Sequence, residues 1–147
     1  MVRRNRTVLI ERVEGSPAVA LPTRATDGSA CFDVCAAEAV ALQHGRVHRV
    51  RTGLRMKAPT GYFLEVRPRS GLASRGVLMV NAPGTVDRDY AGEVMVPMTF
   101  LFDGEYRVET GDRIAQIRIV AETPTEFKEG SVRPTTDRRG GFGSTGR

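Results

Sequence analysis

The chain has 147 residues, which is the size of a single domain and enough to bury a substantial apolar core. Its formal net charge of +5 favours a polyanionic partner, either nucleic acid or a phosphorylated small molecule, although an ordinary basic surface has the same composition. The 16 Gly and 8 Pro are spread along the chain between short apolar runs, which predicts many strands and turns and argues against a mainly helical fold.

The two cysteines, Cys31 and Cys35, are predicted to be unpaired. On a strand their side chains would share one face with Cα atoms about 13 Å apart, which is too far for a disulfide. No further cysteine or suitable histidine completes a set of zinc ligands. The sequence has no run of about 20 apolar residues and no apolar core of a signal sequence after its basic start. We therefore expect a soluble cytoplasmic protein without a membrane partner.

The first half of the chain predicts three strands separated by turn-rich segments, at residues 7–13, 30–38 and 47–56. Asp33 interrupts the otherwise apolar second segment, and a carboxylate is costly to bury unless it is paired. It is therefore either a residue that bonds to a turn amide or a carboxylate held close to a functional site.

A fourth strand is predicted at residues 61–67 and ends at Pro68. One helical turn is expected after Ser70. At this junction Arg69, Ser70 and Gly71 offer a guanidinium, a hydroxyl and free amides, which are the groups that hold phosphate. The alternative interpretation is a serine that caps the helix beside a surface arginine.

Two apolar runs, residues 77–80 and 94–102, are joined by turn residues and predict a β-hairpin or a tight strand-loop-strand. Asp87, Asp89 and Tyr90 lie between the runs. An ordinary hairpin needs turn residues but has no need of two carboxylates and an aromatic ring beside buried strands. This stretch is the strongest candidate for a site.

The second apolar run is predicted to be buried on both faces, with Pro97 at a bulge or an edge position. Another strand follows at residues 113–120, where Gln116 lies on the more polar face and has an ordinary surface position as its alternative. Beyond Pro124 the chain becomes polar. Residues 137–147 combine arginines and one phenylalanine with Gly and Ser, which predicts a mobile arm able to fold over a ligand.

Five segments resemble, in order, those of the trimeric deoxyuridine triphosphatase (dUTPase) family: residues 30–37, 68–73, 84–93, 111–116 and 139–146. The resemblance implies an all-β, distorted β-barrel or jelly-roll-like subunit with one short helix, assembled as a homotrimer with active sites at the subunit interfaces. It implies hydrolysis of dUTP to dUMP and pyrophosphate with Mg²⁺ as cofactor. It also divides the chain into a β domain over residues 1–132 and a flexible arm over 133–147 that closes a neighbouring subunit's site.

The resemblance also assigns roles in the reaction. Asp87 is the general base that activates the water attacking the α-phosphorus, and Ser70 lies near the bridging oxygen of the leaving group. Asp33 acts on the metal through a bound water. The substrate contacts so implied are Arg69, Ser70, Gly71, Asn81, Gly84, Thr85, Val86, Asp87, Tyr90, Met95, Gln116, Arg138 and Phe142.

Those contacts divide by substrate part. Asn81 and the backbone of residues 84–87 are expected to hydrogen-bond uracil, and Met95 is expected to line the base pocket. Tyr90 is expected to pack on the sugar and to exclude a 2′-hydroxyl. Phe142, on the arm of a neighbouring subunit, is expected to stack on the base. Nucleic acid is not required for any of these roles.

The chain departs from the family pattern at two points. Cys31 stands where glycine is usual, and the fifth segment is one residue shorter than usual, so that either Arg138 or Arg139 is the phosphate ligand of the arm. The related dCTP deaminases carry a catalytic glutamate at the position of Pro97 and a tryptophan at that of Tyr90, which argues against deamination. A non-catalytic nucleic-acid-binding or regulatory relative would have no need of the intact active-site residues.

Overall fold

The computed structural model describes residues 6–133, and these form an almost entirely β structure with one short helix, as predicted. The elements are β1 (Leu9–Arg12), β2 (Phe32–Cys35), β3 (Val40–Gln43), β4 (His48–Lys57), β5 (Tyr62–Arg67), α1 (Ser70–Ala73), β6 (Val77–Met79), β7 (Gly84–Val86), β8 (Glu93–Phe100), β9 (Glu105–Val108) and β10 (Arg113–Ala121). No helix within residues 6–133 has the length and apolar composition needed to cross a membrane.

The strands form two four-stranded sheets and one two-stranded ribbon. The first sheet has the order β1-β4-β8-β6, the second has the order β2-β10-β5-β7, and β3 pairs with β9. All named pairs of strands are antiparallel. β7 is therefore an edge strand, and the backbone groups on the side away from β5 face no neighbouring strand of the described sheet.

Both sheets bury alternate side chains in one continuous core, which is the packing that two-faced strands require. In β8, Val94, Val96 and Met98 point inward and are at most 3% exposed. Leu54 of β4 and Leu42 of β3 are completely buried. The core thus fixes which face of each strand is free to carry polar or functional side chains.

The connection between β6 and β8 is longer than the predicted tight hairpin. The two strands do pair antiparallel, with Val77 opposite Phe100 and Met79 opposite Met98. Between them, however, β7 crosses to the second sheet and pairs with β5. Val86 is buried there, so the crossing residues gain apolar burial that a solvent-exposed turn would not provide.

Two expectations for the second apolar run are wrong. β8 is buried on one face only, since Met95 on the opposite face is 41% exposed. β8 also lies inside its sheet, between β4 and β6, and Pro97 pairs with Arg49 in regular register, so that Pro97 is at neither an edge nor a bulge. Proline is tolerated because it stands where β6 ends. Its carbonyl accepts the Val80 amide at 2.9 Å, and the missing Pro97 N–H removes only the last bond of that ladder.

A bulge in β4 interrupts its pairing with β8. Arg51 lies opposite Met95 and Arg55 lies opposite Glu93, so four steps along β4 match two steps along β8. Gly53 in the bulge has φ +67°, and an added Cβ would lie 3.0 Å from the Cβ of Ala37. Glycine is therefore required here both by conformation and by space.

The hydroxyl of Thr52 supports this bulge from inside the core. It donates to the Val94 carbonyl at 2.6 Å and accepts the Leu54 amide at 3.3 Å, and the residue is completely buried. The Oγ1 atom of Thr99, on β8, is also buried but has no hydrogen-bond partner among the described residues. The two threonines therefore allow a buried hydroxyl with a hydrogen-bond partner to be compared with one that has none.

We expect Thr52→Val to lower the free energy of unfolding by about 1–3 kcal/mol, because it leaves the buried Val94 carbonyl without its donor. Thr99→Val should leave stability unchanged or raise it, because the hydroxyl it removes is buried without a partner. Urea unfolding of both variants measures the difference. Equal destabilisation by the two substitutions would contradict this account of the bulge.

Candidate active site

Three strands bring the predicted phosphate-binding residues together. β10 lies between β2 and β5, and its Gln116 is opposite Asp33 on one side and Arg67 on the other. The chain leaves β5 at Arg67 and reaches Arg69 two residues later, at the start of α1. The sheet register therefore places Asp33, Arg69 and Gln116 in one neighbourhood, as the resemblance implies.

The centre of this neighbourhood is an ion-paired group of Asp33, Arg69 and Arg113, here called the arginine cluster. One carboxylate oxygen of Asp33 accepts from Nε of Arg69 at 3.0 Å, and the other accepts from Nη1 of Arg113 at 3.1 Å. Arg69 also donates from Nη1 to the carbonyl of Arg113 at 3.0 Å. The Asp33 side chain is only 13% exposed, so these charge-assisted bonds offset its desolvation.

Sequence reasoning assigned no role to Arg113. Its signal was its place inside the 111–116 segment, next to residues that were recognised. What the sequence did not reveal is the bulge between Arg113 and Ala115, which turns the arginine toward Asp33. Register changes of this kind are not visible in a period-two pattern.

Gln116 is not an ordinary surface glutamine. It is half-buried, and its Nε2 donates to the carbonyl of Pro68 at 2.9 Å, which fixes the end of β5 where the chain turns into α1. One donor of its amide is therefore occupied by the chain itself. Its effect on a phosphate would be exerted through the position of the 69–71 segment as well as through the remaining amide atoms.

Ser70 and Gly71 are exposed at the start of α1. The residue in the N-cap position is Arg69, whose backbone is extended at φ −99° and ψ 129°, so Ser70 does not cap the helix. An added Cβ at Gly71 would meet nothing within 4 Å, so packing inside the chain gives no reason for a glycine there. These features favour close approach by a ligand.

The predicted nucleoside residues form a second group around β7. Asn81 lies against Gly84, where an added Cβ would be 3.1 Å from Nδ2 of the asparagine. Tyr90 lies over Gly92, where an added Cβ would overlap the tyrosine ring, and its hydroxyl donates to the carbonyl of Glu93 at 3.0 Å. The side chains of Asn81 and Tyr90 thus each pack against a glycine.

Glu93 anchors the loop of residues 87–93 to the first sheet. Its Oε1 accepts the Gly53 amide at 2.7 Å and its Oε2 accepts from Nε of Arg51 at 3.1 Å. The Glu93 side chain is 10% exposed. Through its carbonyl the same residue holds the hydroxyl of Tyr90. Sequence reasoning missed Glu93, because its partners come from the β4 bulge, about 40 residues away along the chain.

Asp87 follows β7 directly and is exposed. Its carbonyl accepts the Tyr90 amide at 3.1 Å, which closes the turn, whereas its carboxylate forms no hydrogen bond or ion pair with residues 6–133. Met95 projects from the outer face of β8, opposite Arg51. The loop therefore presents a free carboxylate beside the tyrosine.

Asp87 and the predicted phosphate-binding residues lie toward opposite ends of β5. β7 pairs antiparallel with β5, with Gly84 opposite Val66 and Val86 opposite Leu64, so that the next residue, Asp87, lies level with Phe63. Arg69 is six extended residues beyond Phe63, which is about 20 Å along the strand direction. One chain therefore does not bring Asp87 to the predicted phosphate-binding residues.

Within residues 6–133, no three His, Cys, Asp or Glu side chains come together as a metal site. Asp33 is the single carboxylate among the predicted phosphate-binding residues, and each of its oxygens already accepts a guanidinium N–H. Each oxygen retains a second lone pair that can accept from a metal-bound water. The described residues thus fit a Mg²⁺ ion held mainly by phosphate oxygens and waters, and they do not fit direct coordination by the protein.

Both cysteines are unpaired, as predicted. Cys35 is buried beside the arginine cluster, opposite Arg113 in the β2–β10 register. Burial raises the pKa of the Cys35 thiol, and the nearby Asp33 carboxylate raises this pKa further. The thiol is therefore an inert packing group at neutral pH.

Comparisons with known proteins cover most of the chain. The model of the dUTPase family matches residues 18–146. A relative from Helicobacter pylori, a deoxyuridine 5′-triphosphate nucleotidohydrolase, is 43% identical over 88% of this chain and 91% of its own length. The chain belongs to the dUTPase family. The family assignment agrees with the five sequence segments and with the all-β fold.

Solved structures of phage dUTPases share the fold. The dUTPase of Staphylococcus bacteriophage 80alpha, solved with dUpNHpp, matches with a TM-score of 0.81 and 24% identity over 95% of this chain and 98% of that chain. The dUTPase of phage phi11 of S. aureus, described with a structural Mg(II) ion, matches with a TM-score of 0.73 and 21% identity over 86% of this chain and 97% of that chain.

We expect Glu93→Gln to speed amide hydrogen exchange in residues 87–93 by roughly fivefold, because replacing charge-assisted bonds by neutral ones costs about 1 kcal/mol. Exchange followed by mass spectrometry measures this. The control is Glu11→Gln, which removes a charge from an exposed pair with Arg55 between β1 and β4. Unchanged exchange in the Glu93 variant would show that its carboxylate does not anchor the loop.

Proposed function

We propose that this chain hydrolyses dUTP to dUMP and pyrophosphate in sites shared between subunits of a homotrimer. The main observation in support of the proposal is that the donors suited to phosphate and the free carboxylate of Asp87 lie apart within one chain. One end of β5 has guanidinium, hydroxyl and amide donors suited to phosphates, and the other has an exposed carboxylate on an anchored loop. Membership of the dUTPase family supplies the reaction that needs both.

Phosphate binding is assigned to Arg69, Ser70, Gly71 and Gln116. The Arg69 guanidinium is oriented by Asp33 before any ligand arrives, so that its remaining N–H groups meet phosphate oxygens without reorganisation. The exposed Ser70 hydroxyl donates toward the leaving group, and the open space at Gly71 allows phosphate oxygens to approach the backbone. Mg²⁺ bound to the triphosphate would neutralise part of its charge, with Asp33 accepting from a metal-bound water.

Asp87 is assigned as the general base. A carboxylate without an ion pair is free to accept a proton from water, and its place after β7 mounts it on a strand of the second sheet. The water it orients attacks the α-phosphorus, so that the bond to the bridging oxygen breaks and pyrophosphate leaves. Arg69 and Ser70 stabilise the charge that develops on that leaving group.

Nucleoside selection is assigned to the group around β7. Its free strand edge, formed by Gly84, Thr85 and Val86, offers backbone donors and acceptors to uracil, and the Asn81 amide completes that set. The Tyr90 ring is held against Gly92 and excludes a ribose 2′-hydroxyl. Met95, on the outer face of β8, lines the pocket for the base.

A second subunit must supply the missing half of each site, because Asp87 and Arg69 are about 20 Å apart along one chain. The arm of residues 133–147 is proposed to complete the site, with Phe142 stacking on the base and Arg138 or Arg139 binding phosphate. Apart from Arg133, these residues lie outside those that the structure describes. The unpaired Cys31 and Cys35 support a reducing, cytoplasmic location.

The activity is tested by pyrophosphate release from dUTP, dCTP, dTTP and UTP, with and without Mg²⁺. We expect release from dUTP alone and only with the metal. Ammonia release from dCTP would favour a deaminase instead, although Pro97 stands in the interior of β8 where that chemistry requires a glutamate. Binding of duplex DNA with no release from any nucleotide would favour a non-catalytic relative.

Shared sites are tested by mixing two inactive variants. Asp87→Asn should keep nucleotide binding but lose most turnover, and Ser70→Ala should do the same from the phosphate side. When the two chains are co-expressed, random assortment unites an intact Asp87 with an intact Ser70 in about one quarter of the sites of a symmetric oligomer. Recovery of a comparable fraction of wild-type activity is expected. If confirmed mixed oligomers recover no activity, each site takes Asp87 and Ser70 from the same chain.

Truncation after Pro134 tests the arm. We expect the shortened protein to keep its oligomeric state, because the described core ends at Ala121, and to lose most of its activity, because the arm closes the site. Light scattering and the pyrophosphate assay measure the two properties separately. A truncated protein with full activity would remove Phe142 and both arm arginines from the mechanism.

A further inference from the structure

We propose that a small cavity beside the arginine cluster, here called the anion cavity, binds the pyrophosphate that leaves the active site. The inference rests on the proposed function and adds a subsite to it. The cavity has a volume of about 190 Å³ and lies between α1, β9 and the start of β10. Arg69, Arg75 and Arg113 line it, together with Asp112 and the Tyr106 ring.

The anion cavity has an excess of positive charge. Three guanidinium groups line it, against one lining carboxylate, Asp112, and the Asp33 carboxylate that pairs with two of them, so positive charges exceed negative ones by one. The Asp112 carboxylate accepts the Glu109 amide at 2.9 Å, so it is engaged in its own turn. A polar cavity with surplus positive charge favours an anion.

Many of the guanidinium donors remain available. Arg69 uses Nε and one Nη1 bond, and Arg113 uses one Nη1 bond, so that Nη2 of both residues is uncommitted. Arg75 forms no side-chain hydrogen bond or ion pair with residues 6–133, although it lines the cavity. Planar guanidinium groups bind phosphate oxygens in pairs, which makes three of them around one cavity suited to a diphosphate.

The size of the cavity selects the ligand class. Its 190 Å³ has room for several water molecules. That volume is below the roughly 300–1,000 Å³ of pockets that enclose drug-sized ligands, so the cavity has room to enclose a small anion but not a whole nucleotide. Inorganic phosphate and pyrophosphate are such small anions.

Arg69 connects the anion cavity to the proposed site. It lines the cavity and also precedes Ser70, which is assigned to the leaving group. Phosphates held by Arg69 can therefore pass from one region to the other without losing contact with that guanidinium. We assign Arg75 as a product-binding residue that holds pyrophosphate after the bond has broken.

The test compares Arg75→Met and Arg75→Lys with a matched control, Arg107→Met. Arg107 lies on β9, is 72% exposed and pairs with Glu109, outside the cavity lining. Calorimetry with the intact protein and pyrophosphate alone gives the affinity, and product inhibition of dUTP hydrolysis gives a second value. We expect Arg75→Met to weaken both about tenfold, Arg75→Lys to weaken them less, and the control to change neither.

Inhibition by dUMP separates this subsite from the nucleoside side and should stay unchanged in every variant. Unaltered pyrophosphate affinity in Arg75→Met, or an equal loss of pyrophosphate and dUMP affinity, would overturn the assignment. Because the calorimetric arm needs no turnover, its result stands apart from the proposed activity. Pyrophosphate binding through Arg75 without dUTP hydrolysis would reject the activity alone, and hydrolysis with unchanged binding would reject the anion cavity alone.

Discussion

The carboxylate of Asp33 holds two arginines that would otherwise repel each other, and the proposed phosphate-binding end of this chain depends on that contact. One oxygen serves Arg69 and the other serves Arg113, so each guanidinium is oriented by a bond it cannot share with a ligand. The remaining N–H groups of both then face the proposed phosphate site and the anion cavity. A single largely buried charge thus organises both proposed binding regions, because its position on β2, beside β10, lets it reach both arginines.

Much of the fold could be predicted, because the apolar pattern and the Gly and Pro positions directly reflect strands and turns. The turn of helix after Ser70 and the strand before Pro68 are confirmed. The crossing of β7 to the second sheet could not be predicted. A strand of three residues has the same sequence pattern as part of a hairpin turn, so the sequence does not distinguish the two. The interior place of Pro97 depends on where β6 ends, which is a property of pairing between strands and not of either strand alone.

The candidate site divides in the same way. Residues that carry chemistry in short segments, such as Arg69 and Gln116, were identified from sequence, and the structure brings them together. Arg113 and Glu93 were missed because their roles come from partners far away along the chain, Asp33 in one case and Gly53 in the other. Both partners sit beside irregular points in strand pairing, where a bulge turns a side chain away from the direction that simple alternation gives.

The attachment of Glu93 to the β4 bulge has a thermodynamic consequence for any ligand that meets the 87–93 loop. The loop is held at its end by Gly53 and Arg51, and the Tyr90 ring is held by its hydroxyl, before a ligand arrives. The conformational entropy of these residues has therefore already been lost during folding, and binding does not have to repeat that cost. A rigid surface of this kind distinguishes between ligands by steric clash, because it cannot rearrange to accept a ligand that has an additional atom.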